Sequence, residues 1–141
     1  MNLIQKVGIN AVFPAQVLWK DDGGKVHESD LRGETFLTLA LFYKNEYVLR
    51  ILLENGADPN QRDGDECPPI WDLQYEWDDP EFGLRATKML LDYGADPNIV
   101  WENEGFYYYV DTKPADWVDS DQEWDYLQTL CDLLEEYGGE F

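Results

Sequence analysis

The feature that most limits what this chain can fold into is a nine-residue phrase that occurs twice. Leu52-Leu53-Glu54-Asn55-Gly56-Ala57-Asp58-Pro59-Asn60 is matched by Leu90-Leu91-Asp92-Tyr93-Gly94-Ala95-Asp96-Pro97-Asn98, with seven of nine positions identical. A degenerate copy follows at Leu133-Leu134-Glu135-Glu136-Tyr137-Gly138-Gly139, and a fourth is read at Lys20-Asp21-Asp22-Gly23-Gly24-Lys25-Val26-His27. The motif glycines at 23, 56, 94 and 138 are spaced by 33, 38 and 44 residues. An apolar helix ends, glycine supplies the left-handed turn beyond it, and proline shortly afterwards prevents continuation. The phrase therefore predicts a helix stop followed by an extended loop.

Between two stops, Asp30-Leu31-Arg32-Gly33-Glu34-Thr35-Phe36-Leu37-Thr38-Leu39-Ala40 reads as a turn feeding a short helix. A second helix follows, with Val48, Ile51 and Leu52 at the i, i+3, i+4 spacing of one buried face. A unit of turn, helix, helix and Gly-Ala-Asp stop at this period resembles the ankyrin repeat, whose Thr-Pro-Leu-His-x-Ala signature stands here as Thr35-Phe36-Leu37-Thr38-Leu39-Ala40. The Pro and His of the signature are missing. Later units offer Pro68-Pro69-Ile70-Trp71-Asp72-Leu73 and Lys113-Pro114-Ala115-Asp116-Trp117-Val118.

Counting back one period places Leu3-Ile4-Gln5-Lys6-Val7 as a first helix and Pro14 near the start of a second. Four units result, about 1–27, 28–60, 61–98 and 99–141. The resemblance implies an all-α fold, an ankyrin-repeat solenoid of helix pairs with β-hairpin fingers. Each unit buries its apolar face only against its neighbours, so residues 1–141 are expected to form one domain.

Two units are longer than the period. In the third, the added residues fall between the helices, around Tyr75-Glu76-Trp77-Asp78-Asp79-Pro80-Glu81-Phe82-Gly83. In the fourth they fall in Ile99 to Val110, where two β-prone runs flank Glu102-Asn103-Glu104-Gly105 and predict a hairpin, so the last finger is expected to be the extended one. Strand alternation would put Tyr107 and Tyr109 on one face and Phe106, Tyr108 and Val110 on the other.

Charge narrows the partners. Thirty acidic residues against ten basic ones give a formal net charge of −20, unevenly spread: residues 1–88 carry −7 and residues 89–141 carry −13, with Lys113 the single base there. Such a field repels nucleic acid and anionic membranes, because binding phosphate depends on Lys and Arg replacing counterions. No apolar run approaches the roughly 20 residues of a membrane span. The first residues lack the pattern of a secretory or transit leader, so a cytoplasmic protein is expected. Cys67 and Cys131 are too few for a disulfide framework and lie in no zinc-binding spacing.

Few residues invite a chemical reading. Asp119-Ser120-Asp121-Gln122-Glu123 begins like a calcium loop, but Trp124 and Leu130 stand where an EF-hand needs Gly and a bidentate Glu; a capped, acidic helix start accounts for it. Asp78, Asp79 and Glu81 have no nucleophile or base set against them. His27, the only histidine, is read as a loop residue equivalent to Asn60, and Gly23-Gly24 lacks the spacing of a phosphate loop. No enzyme, cofactor, metal or small-molecule substrate is expected.

Six Trp and nine Tyr exceed what a repeat core requires. Trp19, Trp71 and Trp117 read as core; Trp77, Trp101 and Tyr107 to Tyr109 lie in the insertions, and aromatics ringed by charge are the usual make-up of a binding hot spot. The expected contact surface is the finger carrying Trp101, Glu102, Glu104, Tyr107 and Tyr109, with Asp63, Asp65 and Glu66 beside it. Trp77 is a further candidate from the insertion between the helices, and the concave helix surface near Asp72, Tyr75 and Glu76 is the alternative contact. Ankyrin proteins act as protein-binding scaffolds, and the charge favours a basic protein as partner. The readings that follow are an acidic immunity or antitoxin-type inhibitor of a basic toxin such as a nuclease, an adaptor or host-directed effector, and a nucleic-acid mimic.

Overall fold

In the computed structural model the described residues are 5, 8–12, 16–20, 22–23, 25–30, 33–102, 104–106, 110 and 120–140, with the backbone alone described for 16–20 and 26–30. The elements run β1 (Gln16–Lys20), β2 (Val26–Asp30), α1 (Phe36–Phe42), α2 (Glu46–Glu54), α3 (Pro69–Asp72) continued by a 3-10 segment (Leu73–Asp78), α4 (Pro80–Asp92), β3 (Val100–Trp101), β4 (Glu104–Gly105) and α5 (Asp121–Glu136).

Local chemistry starts each helix. Thr35 caps α1 by accepting from the Thr38 amide at 3.1 Å, while the Thr38 hydroxyl accepts from the Thr35 amide at 2.8 Å. This is a reciprocal capping box in which Thr38 does the work usually given to Glu or Gln. Asn45 caps α2, Asp79 caps α4 with Pro80 in its first turn, and Ser120 caps α5, whose first turn holds Asp121 and Glu123. The last of these is the capped, acidic helix start expected from the sequence.

Glycine stops three helices in the same way. Gly56, Gly94 and Gly138 take φ of +91°, +99° and +93°. In each, the residue after the glycine bonds back to the helix: Ala57 N–H to Leu52 O at 3.0 Å, Ala95 N–H to Leu90 O at 2.9 Å, and Gly139 N–H to Leu134 O at 2.9 Å. These 6→1 bonds satisfy carbonyls that the helix end would orphan.

Beyond the first two stops an asparagine reaches across to the next loop. Asn60 Oδ1 accepts from the Asp96 amide at 2.8 Å and its Nδ2 donates to Gly94 O at 3.2 Å. Asn98 repeats both bonds one step further on, to the Glu140 amide at 2.7 Å and to Gly138 O at 3.1 Å. Asn10 accepts from the Asp58 amide at 2.7 Å, and Gly8 beside it has φ +87°.

That last pair corrects the reading of the N-terminal unit. The stop ascribed to Gly23 is absent: β1 and β2 pair antiparallel, with Trp19 opposite His27 and Lys20 opposite Val26, and Gly23 lies in the turn between them. The second helix expected after Pro14 is replaced by a strand, Trp19 lies on a strand rather than a helix, and His27 pairs in a strand rather than standing in a loop. Glycine serves a hairpin turn as readily as a helix stop, so the interval of 33 residues was a coincidence of two different turns.

Packing follows two rows. Helix α1 packs on α3, α2 packs on α4, and α4 packs on α5; the 3-10 segment joins α4 and α5. The core is continuous through these elements, from Leu37, Leu41, Leu49 and Leu52 to Trp71, Leu90, Leu127 and Leu130. The buried face of α2 is Leu49, Leu52 and Leu53; Val48 and Ile51 are 39% and 38% exposed. The face is therefore one residue round from the expected one. The apolar run Val48-Leu49-Arg50-Ile51-Leu52-Leu53 satisfies the spacing in either phase, and contact with α1 and α4 decides between them.

The added length of the third unit is not an open loop. It becomes the 3-10 segment and the start of α4, covered by α5, whose Tyr126 hydroxyl donates to Leu73 O at 2.5 Å. Gly83 leaves the room for that ring, since a Cβ there would overlap the Tyr126 hydroxyl.

Candidate interaction surface

Two regions compete for the role of contact surface. The first is the short hairpin β3–β4, in which Val100 pairs with Gly105 and Trp101 with Glu104. Its strands have two residues each, and Phe106 and Val110 are helical and buried, so the expected strand through Val110 is corrected. Tyr107 and Tyr109 lie outside the described residues.

This hairpin is stitched to the body. Arg62 donates to Val100 O at 2.7 Å and to Glu66 O at 2.8 Å. Trp71 Nε1 donates to Ile99 O at 3.2 Å, and Trp101 Nε1 donates to Asp65 O at 3.3 Å. The Trp71 ring meets Trp101 and Phe106 edge-on, with centroids 5.5 and 5.2 Å apart. Trp101 is half-buried in this cluster, while Glu102 and Glu104 are exposed.

The neighbouring turn divides its acids. Asp63 is buried, and its carboxylate accepts from the Asp65 and Cys67 amides at 2.8 and 3.0 Å; it holds the turn in which Glu66 adopts φ +61°. Asp65 and Glu66 are exposed. Asp63, Cys67 and Asp72 bring three ligand-type atoms within 4.8 Å of one another, a grouping the sequence spacing did not suggest. It is accounted for by the turn's own bonds, with the Cys67 thiol 3.7 Å from Asp72 Oδ1.

The second region is the groove between α1 and the α3 to 3-10 run. Its volume is about 290 Å³; Thr38, Leu41 and Leu73 line it together with Glu34, Asp72, Glu76, Phe42 and Tyr75. The structure thus brings Asp72, Tyr75 and Glu76 together, but Trp77 packs half-buried against the core. Phe42, Tyr43, Tyr47 and Tyr75 are 76%, 73%, 75% and 59% exposed, with the Phe42 and Tyr43 rings 5.2 Å apart. Sequence reasoning missed Glu34, Phe42, Tyr43 and Tyr47. The available signal was that Phe42 and Tyr43 run on past the last buried residue of α1, where a helix that only served the core would turn polar.

One cation sits at the end of this groove. Lys44, in the left-handed region at φ +52°, places its ammonium 2.9 Å from Glu76 and 3.7 Å from both Asp78 and Asp79. The hydrogen bond to Glu76 and the surrounding carboxylates raise its pKa. On the opposite row Arg85 pairs with Glu46 at 2.8 Å, and Lys88 with Asp92 at 3.1 Å. Tyr137 and Lys88 together hold Asp92 below the usual carboxylate range.

With this geometry in view, residues 32–64 match the family model described as Ankyrin repeat, consistent with a divergent ankyrin-repeat protein. The matched segment spans α1, α2, the Gly56 stop and the start of the following turn. No curated protein matches the chain. Ankyrin repeats are generally non-enzymatic modules that mediate protein–protein interaction, and among the described residues no helix is long and apolar enough to cross a membrane.

Proposed function

We propose that this chain is a non-enzymatic protein-binding module, and specifically an acidic inhibitor of the immunity or antitoxin type that covers a basic partner such as a nuclease toxin. In this reading residues 1–141 form one solenoid domain acting in the cytoplasm, with the hairpins as its fingers. The observation that carries it is the fate of the charges. Thirty acids face ten bases; of the described cations, Lys44, Arg85 and Lys88 are engaged by carboxylates of the same chain, and Arg62 donates to main-chain carbonyls. The excess of acids, with Glu66, Glu102 and Glu104 exposed on the turns, gives the surface a field that attracts and orients a basic protein.

The test is association with a partner recovered from the native cell, followed in real time as salt is raised. Steering by charge makes the on-rate fall roughly tenfold or more between low and high ionic strength, with little change in the off-rate. An on-rate indifferent to salt would leave the acidic surface a solubility device and favour the adaptor reading.

A further inference from the structure

We infer that the groove between α1 and the α3 to 3-10 run receives a segment of the basic partner in which arginine stands next to a large apolar residue. The inference rests on the basic-partner reading above and assigns it a seat. The floor of the groove is apolar, from Leu41 and Leu73, and its wall exposes the rings of Phe42 and Tyr75. Around them stand Glu34 and Glu76, with Asp72 in the wall and Asp78 and Asp79 at the end, and among the described residues the cation set against Glu76, Asp78 and Asp79 is the single ammonium of Lys44. A purely apolar occupant would leave the excess negative charge uncompensated, and a purely cationic one would leave the rings and the leucine floor in water.

Arginine meets both demands. Its planar guanidinium stacks on aromatic faces, pairs with carboxylates in a fork, and is more weakly hydrated than an ammonium. Lys44 shows that this end of the groove accommodates a cation, with its ammonium also 5.9 Å from the Phe82 ring centroid. A volume of about 290 Å³ lies at the lower limit of ligand pockets, which run from roughly 300 Å³ upward, and suits one or two protruding side chains. A second copy of this chain is a poor occupant, since each copy carries −20. Nucleic acid and anionic lipid meet the same repulsion.

The experiment titrates the full chain, labelled for amide NMR, with three short peptides: one alternating Arg and Leu, one in which Leu is replaced by Ser, and one in which Arg is replaced by Glu. The Arg/Leu peptide is expected to shift amides of α1, α3 and the 3-10 segment and to bind roughly tenfold or more tighter than the Arg/Ser peptide. Phe42→Ala with Tyr75→Ala should weaken it by roughly tenfold while leaving thermal melting unchanged, because both side chains are exposed. Glu34→Gln with Asp72→Asn should weaken it and flatten its salt dependence. Equal binding of the Arg/Leu and Arg/Ser peptides, or indifference to the aromatic pair, overturns the inference in favour of diffuse charge attraction. Shifts confined to residues 100–105 overturn the groove but keep the basic partner; no binding by either cationic peptide removes both.

Discussion

The aromatic residues of the β3–β4 hairpin and those of the α1 edge have opposite fates. Trp101 stands in an inserted loop, where exposure was expected, yet its ring meets Trp71 and its indole nitrogen bonds Asp65. Phe42, Tyr43 and Tyr47 stand in or beside regular helices, where burial is the usual outcome, yet all three are more than 70% exposed. A loop that closes over a large ring can bury it as well as a helix can. A helix buries only the side chains on its packed face, and α1 continues to Phe42 beyond that face. Aromatic content alone therefore does not locate a contact surface; the partners of each ring do.

The contrast can be broken most sharply at its buried end. Trp71→Ala should cost about 3–5 kcal/mol, since Trp71 is only 2% exposed and anchors both Trp101 and Phe106. Trp101→Ala should cost about 1–2 kcal/mol, reflecting the loss of one edge-on contact and a half-buried ring. Chemical denaturation of the two variants checks the order, and a silent Trp101→Ala would return that residue to the candidate contact surface.

A second buried ring sharpens the point. Tyr126 lies in the groove left by Gly83 and bonds Leu73 O, and burial pushes its phenol pKa well above the ordinary value. Gly83→Ala should force the ring out and cost about 1–3 kcal/mol through overpacking, visible as a lowered melting temperature despite the better helix propensity of alanine.

Asn60→Ala removes the two bonds that tie one loop to the next and should cost about 1–2 kcal/mol, less than Trp71 because the site is more accessible. An Asn60→Asp variant keeps the acceptor for the Asp96 amide but loses the donor to Gly94 O, and should fall between. The smallest effects belong to the exposed edge: Phe42→Ala and Tyr75→Ala should each change stability by no more than about 0.5 kcal/mol. A larger loss at either would show that the edge is part of the core.

The same contrast explains what the sequence disclosed. The Gly56 and Gly94 stops, the two helices of residues 36–54 and the capped start of α5 were legible because each rests on local chemistry, a left-handed glycine or a side chain reaching an adjacent amide. The N-terminal hairpin was not, because Asp22-Gly23 forms a strand turn as readily as a helix end, and because the true counterpart at Gly8 lacks the Asp-Pro that marks the other two. The phase of α2 was ambiguous between two apolar faces. Of the residues that line the groove, Asp72, Tyr75 and Glu76 were singled out by position. Asp63 was misjudged because a carboxylate that holds its own turn reads, in sequence, like one that faces water.

The asparagine bridges have a consequence for how such a chain can change over time. Asn10 and Asp58 are 48 residues apart, Asn60 and Asp96 are 36, and Asn98 and Glu140 are 42, yet each bridge joins the same kind of backbone amide at 2.7 or 2.8 Å. Alignment of the loops is thus independent of the length of chain that intervenes. Residues gained or lost in a hairpin or between paired helices need not disturb the clasp, so new surface can accumulate in those segments while the stitching stays fixed. Loop closure grows only slowly more costly with length, which leaves such a protein free to try insertions against a changing partner without first refashioning its frame.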